Sequence, residues 1–324
     1  MPFHLWTLFY ALCLQTLFPQ LLLSSALHTK RVAPVSASAK AGLAWPNGDY
    51  DDMGQYLSTG KVSWYYTWNP AAINEDDEAE SVPMLWGATQ VNQWTSSVNS
   101  TISSKKVTAV LGMNEPNEVS QSNLTAQQGA VMWKTYIEPL KSRGVRLGTP
   151  ATTSAPSGIQ WVKDWLVACD GGCTVDFVAL HWYDVNATNF IEYIQEFHNT
   201  FQKPIWVTEW DCQNNNTPQQ CSLQDIMSFM NITQSFMDNT DWVERYAWFG
   251  AMENLQGVNP SNALMDSSGK ITALGRQYIG ANSTAPLPSS SGSSPGVSGG
   301  GSSVVDYLWW RLIVTGVVLI WWFV

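Results

Sequence analysis

Basic residues are scarce in this chain of 324 residues: Lys and Arg number 16 against 26 Asp and Glu, for a net charge of -10. No cluster exceeds two adjacent cations, so a polyphosphate backbone meets repulsion, and nucleic acid is excluded as a partner. No Gly-x-Gly-x-x-Gly turn follows the first expected strand, which removes the signature of a dinucleotide cofactor. Cysteine is sparse, with five in all, and the Cys-x3-Cys and Cys-x8-Cys spacings have no accompanying histidine cluster. That argues against a zinc site, and the reading carries neither a metal nor a cofactor.

Apolar runs long enough to span a bilayer are also lacking near the carboxyl end. The uninterrupted stretch Leu312 to Val324 has 13 residues, whereas a spanning helix needs about 20. Residues 304–324 therefore read as the tail of a glycosylphosphatidylinositol signal, preceded by a Ser/Gly/Pro linker at 283–303 with attachment expected between Ser293 and Ser303. A retained single-pass tail, with Arg311 snorkelling, is the alternative. At the other end, the apolar run Leu5 to Leu23 followed by Ser24, Ser25 and Ala26 reads as a secretory signal over 1–26. Only His4 and the amino terminus precede it as positive charge, so an uncleaved anchor stays open. Residues 27–40 form an N-terminal segment in which Lys30-Arg31 is a candidate dibasic processing site.

With Cys13 lost in the signal, Cys169, Cys173, Cys212 and Cys221 remain, an even count that an oxidising compartment would pair. Three pairings exist, and proximity favours Cys169 with Cys173 and Cys212 with Cys221. Sequons begin at Asn99, Asn123, Asn186, Asn215, Asn231 and Asn282, consistent with a glycosylated surface protein. The expected location is the cell surface or wall, on a glycolipid anchor in the plasma membrane.

Tryptophan is abundant, and 13 of the 18 lie between Trp45 and Trp248. Flat apolar rings with a polar edge suit pyranose stacking, although any one of them can equally fill the core. Over 41–282 short β-branched or aromatic runs alternate with segments of helical period. The strands are expected at 41–46, 61–68, 82–88, 107–113, 145–150, 175–182, 204–210 and 243–250. Between the fourth and fifth, Thr125 and Gln128 form a capping box, Val131, Met132, Tyr136 and Leu140 mark one helical face, and Gly144 ends the helix. Two more helices are expected at 189–201 and 222–238. Eight strands with intervening helices predict an α/β fold of the closed (β/α)8 TIM-barrel type.

Such barrels carry their chemistry at the carboxyl ends of the strands. Glu115, in Val-Leu-Gly-Met-Asn-Glu-Pro-Asn, and Glu209, in Ile-Trp-Val-Thr-Glu-Trp, both fall there, in apolar surroundings that would penalise an idle charge. Two carboxylates on one rim suit glycoside hydrolysis. Asn114, His181 and Tyr183 are the candidate hydrogen-bond donors beside Glu209, Trp182 and Trp210 the candidate sugar platforms, and Asn69 and Trp248 further strand-end candidates. Asp184 and Asp211 are rival carboxylates, and Glu118 is expected to be solvated.

Asn114-Glu115-Pro116 together with Glu209 resembles the signature of the retaining β-glycosidases built on (β/α)8 barrels. With Gly42-Leu43-Ala44-Trp45, Asn117, Leu180-His181-Trp182-Tyr183 and Thr208-Glu209-Trp210, the likeness narrows to glycoside hydrolase family 128. The resemblance implies an endo-β-1,3-glucanase acting on cell-wall β-glucan, with Glu115 as acid/base, Glu209 as nucleophile and Asn114 on the sugar 2-hydroxyl. A non-catalytic β-glucan-binding wall protein, or a related glycosidase or transglycosylase on another β-glycan, are the alternatives.

Overall fold

The computed structural model describes residues 39–73, 78–215 and 217–281. The expected signal, linker, anchor tail, Cys13 and the Asn282 sequon lie outside them. The strands are β1 (Ala41–Ala44), β2 (Val62–Tyr66), β3 (Glu80–Ser81), β4 (Ala109–Leu111), β5 (Arg146–Gly148), β6 (Val178–Tyr183), β7 (Ile205–Asp211) and β8 (Val243–Trp248). Between and after them lie the helices α1 (Gly54–Leu57), α2 (Val91–Ser104), α3 (Ala126–Met132), α4 (Pro156–Cys169), α5 (Ala187–Phe201), α6 (Leu223–Asp238) and α7 (Ala273–Tyr278).

The strands form parallel sheets, one of six in the order β3-β2-β1-β8-β7-β6 and one of two, β4-β5. Single parallel bridges pass between them, Met84 with Leu111 on one side and Gly148 with Phe177 on the other. The third strand corrects the expectation at 82–88, for its ladder is confined to Glu80–Ser81. Pro83 has no N–H to give, so the segment beyond continues only through isolated contacts, among them Leu111 N to Pro83 O at 2.9 Å.

Strand alternation sends side chains to two apolar layers. One lies between sheet and helices, where Val178, Leu180, Ile205 and Val207 meet Phe190, Ile194, Phe197, Ile226 and Met230. The other lies on the opposite face of the strands and is filled by Trp64, Phe177 and Trp206, with Phe177 and Trp206 stacked at 3.8 Å. Small residues make room for these rings, since a Cβ on Gly42 would run into the Trp64 indole and one on Gly148 into the Phe177 ring. Arg245 pairs with Glu80 at 2.5 Å and lies 4.4 Å from the Trp206 ring centroid, so its charge is both paired and stacked.

Helix α3 opens with the expected capping box at Thr125 and Gln128. It then widens into a π turn, Trp133–Ile137, and tightens into a 3-10 segment, Glu138–Arg143, closed by Gly144 in the left-handed conformation. Within α3 the buried face is already set by Ala126, Gly129 and Ala130, before the pitch changes. Val131, expected on it, is 66% exposed, whereas Trp133 and Ile137 are buried with Met132 and Leu140. Among the described cysteines the bridges are Cys169–Cys173 and Cys212–Cys221, the pairing that proximity favours.

Candidate active site

At the carboxyl ends of the strands, Glu115 follows β4 and Glu209 lies within β7, both buried. An extra residue in β7 aims the second of them. Leu180 pairs with Val207, but the next residue, His181, pairs with Glu209, and the same shift recurs against β8. Thr208 is therefore bulged, and the bulge reverses the alternation, turning Glu209 to the inner face and Trp210 to the helices.

Glu115 has φ of 40°, a left-handed conformation that a non-glycine residue adopts at a cost of about 1–3 kcal/mol. Its N–H donates to Ala151 O at 2.7 Å, which anchors the turn to the segment after β5. His181 lies between the carboxylates. Its Nδ1 is 2.8 Å from Glu115 Oε1, and its Nε2 is 3.5 Å from Glu209 Oε1. One oxygen of each carboxylate and one ring nitrogen all lie within 4.8 Å of one another. These are also metal-ligand types, but the imidazole spends one nitrogen on each carboxylate instead of joining both at one centre.

Glu209 meets two close donors. Trp68 Nε1 donates to Oε1 at 2.8 Å and Tyr183 OH to Oε2 at 2.5 Å, while Tyr66 OH, 3.4 Å from Oε1, gives its one proton to Thr208 O at 2.9 Å. Trp68 is itself left-handed, with φ of 55°. Phe249 packs against both donor rings, 6.0 Å from Trp68 and 5.9 Å from Tyr183.

Burial raises the pKa of Glu115 above the usual carboxylate value; the hydrogen bond and charge of His181 oppose it, and the charge of Glu209 adds to it. For His181, burial disfavours the cation, but the charge of Glu209 and the bond and charge of Glu115 outweigh it and raise the pKa. Burial and the charge of Glu209 also hold the Tyr66 and Tyr183 phenols well above their ordinary range, which keeps them neutral donors. The site thus unites an acid biased toward its protonated form with a carboxylate fixed by donors.

Residues 42–278 match the family model described as glycosyl hydrolase catalytic core. The chain belongs to that glycosyl hydrolase family. It is 33% identical over 251 residues to alkali-sensitive linkage protein 1 of Schizosaccharomyces pombe, across 75% of this chain and 45% of that longer protein. Among solved structures it is similar to the GH128 exo-β-1,3-glucanase of Blastomyces gilchristii, crystallised with glucose, at 27% identity and a TM-score of 0.61. That likeness covers 75% of this chain and 98% of the other. The GH128 endo-β-1,3-glucanase of Sorangium cellulosum is 26% identical with a TM-score of 0.64, over 76% of this chain and 100% of that one.

In this glycosyl hydrolase the remaining expected site residues fall elsewhere. Trp182 is the outward neighbour of His181 and packs on Phe190 and Tyr193 of α5 at 5.8 and 5.2 Å. Trp210, fully buried, donates to Thr233 Oγ1 on α6 at 3.1 Å. Trp248 meets Trp210 edge-on at 4.9 Å and donates to Asn262 O. All three belong to the layer beneath the helices and are not platforms for sugar. Asn69 bonds within its own loop, from Nδ2 to Thr67 O and from Ala71 N to Oδ1. Asn114 is buried, with Nδ2 on Gln121 Oε1 at 3.1 Å and Oδ1 without a partner. Asp184 accepts from the neighbouring Val185 N–H, Glu118 from Ser120, and Asp211 is wholly buried with both oxygens unpartnered.

Sequence reasoning missed Tyr66, Trp68 and Phe249. The signal was present for Trp68, the last residue of the expected strand 61–68, because the positional rule that selects Glu209 applies equally to that strand end.

Proposed function

We propose that this glycosyl hydrolase cleaves β-1,3-glucan with retention of configuration, using Glu209 as nucleophile and Glu115 as acid/base. The observation that carries the reading is the pair of buried carboxylates with one oxygen of each within 4.8 Å of the other, one with a raised pKa and the other held by the Trp68 and Tyr183 donors. In the first step Glu115 gives its proton to the glycosidic oxygen while Glu209 attacks the anomeric carbon. With His181 Nδ1–H as the donor to Glu115 Oε1, Oε2 carries the proton. In the second step Glu115, now a carboxylate, takes a proton from water as the water displaces Glu209. Tyr183 and Trp68 keep the nucleophile's oxygens in place. The unpartnered Asn114 Oδ1 accepts the sugar 2-hydroxyl, which would satisfy an otherwise costly buried oxygen.

The architecture of this reading is a closed (β/α)8 barrel. Bridges at Met84–Leu111 and Gly148–Phe177 support it, because they lie at the two places where the six- and two-stranded sheets would have to join. The substrate follows the β-1,3-glucanases to which the chain is similar, and the mode is taken to be endo, as in the Sorangium cellulosum enzyme. The enzyme is placed at the cell surface, on a glycolipid anchor implied by residues 283–324. Release of activity from intact cells by a phosphatidylinositol-specific lipase supports that location, and full retention on the membrane contradicts it.

Chromatography of early products from linear β-1,3-glucan, with β-1,4- and β-1,6-glucan as controls, tests the function. A ladder of β-1,3 oligosaccharides is expected. Glucose alone would replace endo with exo action, and activity confined to a control would overturn the substrate.

A further inference from the structure

The loop after β4 doubles back on its own start. Ser122 N–H donates to Asn114 O at 3.2 Å and Leu124 N–H to Pro116 O at 2.9 Å, so Asn123 stands between two bonds to the segment that carries Glu115. Asn123 is exposed, with φ of 46°, in the left-handed region that asparagine tolerates better than most residues. It begins the sequon Asn123-Leu124-Thr125. It also lines a groove of about 380 Å³ that the loop shares with helix α4.

The opposite wall is stiff. Trp161, on α4, donates its indole N–H to Leu124 O at 2.7 Å, stacks on Trp165 with ring centroids 6.4 Å apart, and rests against Gly129 of α3, where a Cβ would come within 2.8 Å of the ring. Asn117 ties loop to helix, donating from Nδ2 to Thr153 Oγ1 at 2.6 Å and to Ser157 Oγ at 3.1 Å. At the rim Gln160 Nε2 donates to Asp164 Oδ1 at 2.8 Å, which leaves Gln160 Oε1 and Asp164 Oδ2 as acceptors. The lining holds no Lys or Arg, so an anion finds no counter-charge. A neutral ring with an apolar face for the indole and donors for the two acceptors does fit, and the volume lies within the roughly 300–1,000 Å³ of ligand sites.

We infer that this groove seats the chain's own N-glycan, attached at Asn123, with the first acetamido sugar against Trp161 and in reach of Gln160 and Asp164. A sugar tethered at the edge of the groove meets it at high effective concentration, so modest contacts suffice to hold it. In the attachment Nδ2 of Asn123 attacks the anomeric carbon of a lipid-diphosphate oligosaccharide. The C–N bond forms, the C–O bond to the diphosphate breaks, the diphosphate leaves with the electron pair, and Nδ2 loses a proton. Transfer onto the unfolded chain leaves Thr125 Oγ1 to cap α3 afterwards, where it accepts from Gln128 N. Asn99 and Asn231, also exposed, lie on α2 and α6 and do not line this groove. A seated sugar braces the loop against α4, and with it the left-handed turn at Glu115. The inference rests on the secretory reading of residues 1–26 and is independent of the roles of Glu115 and Glu209.

The test uses the secreted full chain. Peptide mapping after amidase deglycosylation in heavy-oxygen water marks each occupied asparagine as a labelled aspartate, and Asn123 is expected among them. Sugar at other sequons with Asn123 bare overturns the inference alone, and no sugar at any sequon overturns it together with the secretory reading. Seating is read from the melting midpoint. Trimming every glycan to its first sugar with an endoglycosidase should leave the midpoint unchanged, whereas Asn123→Asp, which tolerates the left-handed turn but carries no glycan, should lower it by about 2–4 °C. Gln160→Ala with Asp164→Ala should produce a comparable fall in the glycosylated protein, and adding Asn123→Asp should lower it no further, because both changes remove the same contact. Additive losses, an unchanged midpoint in Asn123→Asp, or a fall on trimming alone would overturn the seating.

Discussion

The indole N–H of Trp68 donates to Glu209 Oε1 at 2.8 Å from a left-handed backbone position that a bulky residue rarely holds. Strain of that kind persists where the surroundings fix it and the geometry is used. Trp68→Phe keeps the ring and removes the donor. A hydrogen bond to a charged group is worth about 1.5–3 kcal/mol, so kcat/KM on glucan should fall roughly ten- to hundredfold with the thermal midpoint little changed. Wild-type activity in a folded variant would remove Trp68 from the catalytic account.

His181 sets the basic limb of the rate profile. Its hydrogen bond and charge hold the pKa of Glu115 below the value that burial alone would impose. In His181→Gln the charge is gone, so Glu115 stays protonated to higher pH. The basic limb of kcat/KM should move upward even as the rate falls, and a limb that moves downward or stays fixed would contradict the arrangement.

How much of this was legible in the sequence depended on the face of each strand more than on its position. Glu115, Glu209, His181 and Tyr183 were accessible to a rule about strand ends, and the structure gathers those four around one point. The same rule chose Trp182, Trp210 and Trp248, which share those ends but face the helices. A single bulged residue, Thr208, turns Glu209 inward and Trp210 to the helices, and no periodicity announces it. Trp68 escaped notice because its approach to Glu209 depends on a backbone conformation that propensity disfavours. Val131 was misplaced because the buried face of α3 is lined by Ala126, Gly129 and Ala130, small residues that a search for large apolar side chains passes over.

Trp210 should behave as a core residue. It is fully buried against Tyr246, Trp248 and Tyr278, and truncation of such a ring to alanine costs about 3–5 kcal/mol. Trp210→Ala is expected to lower the melting temperature sharply, and Trp182→Phe to leave the KM for glucan within twofold. A raised KM with unchanged melting in either variant would return that ring to the substrate.

Asp211 makes stability depend on pH. Burial, reinforced by the charge of Glu209, pushes its pKa well above the usual value, so it keeps its proton to higher pH when folded than when unfolded. Folding then takes up a proton, and stability falls by about 1.4 kcal/mol per pH unit between the unfolded and folded values. Asp211→Asn needs no proton and should flatten the loss of stability above pH 4–5, read from denaturant midpoints across pH. An equally steep decline in the variant would assign the slope to another group.

The division of labour between the two carboxylates is tested most directly by azide rescue with an activated aryl β-glucoside. Glu115→Ala retains the nucleophile but lacks the base for the second step, so azide should restore turnover and yield the β-glycosyl azide, the product of two inversions. Glu209→Ala forms no covalent intermediate, and azide entering the vacated space should give the α-glycosyl azide by a single inversion. The α-azide from Glu115→Ala together with the β-azide from Glu209→Ala would exchange the two roles, and wild-type hydrolysis of glucan by both variants would place the catalytic pair elsewhere.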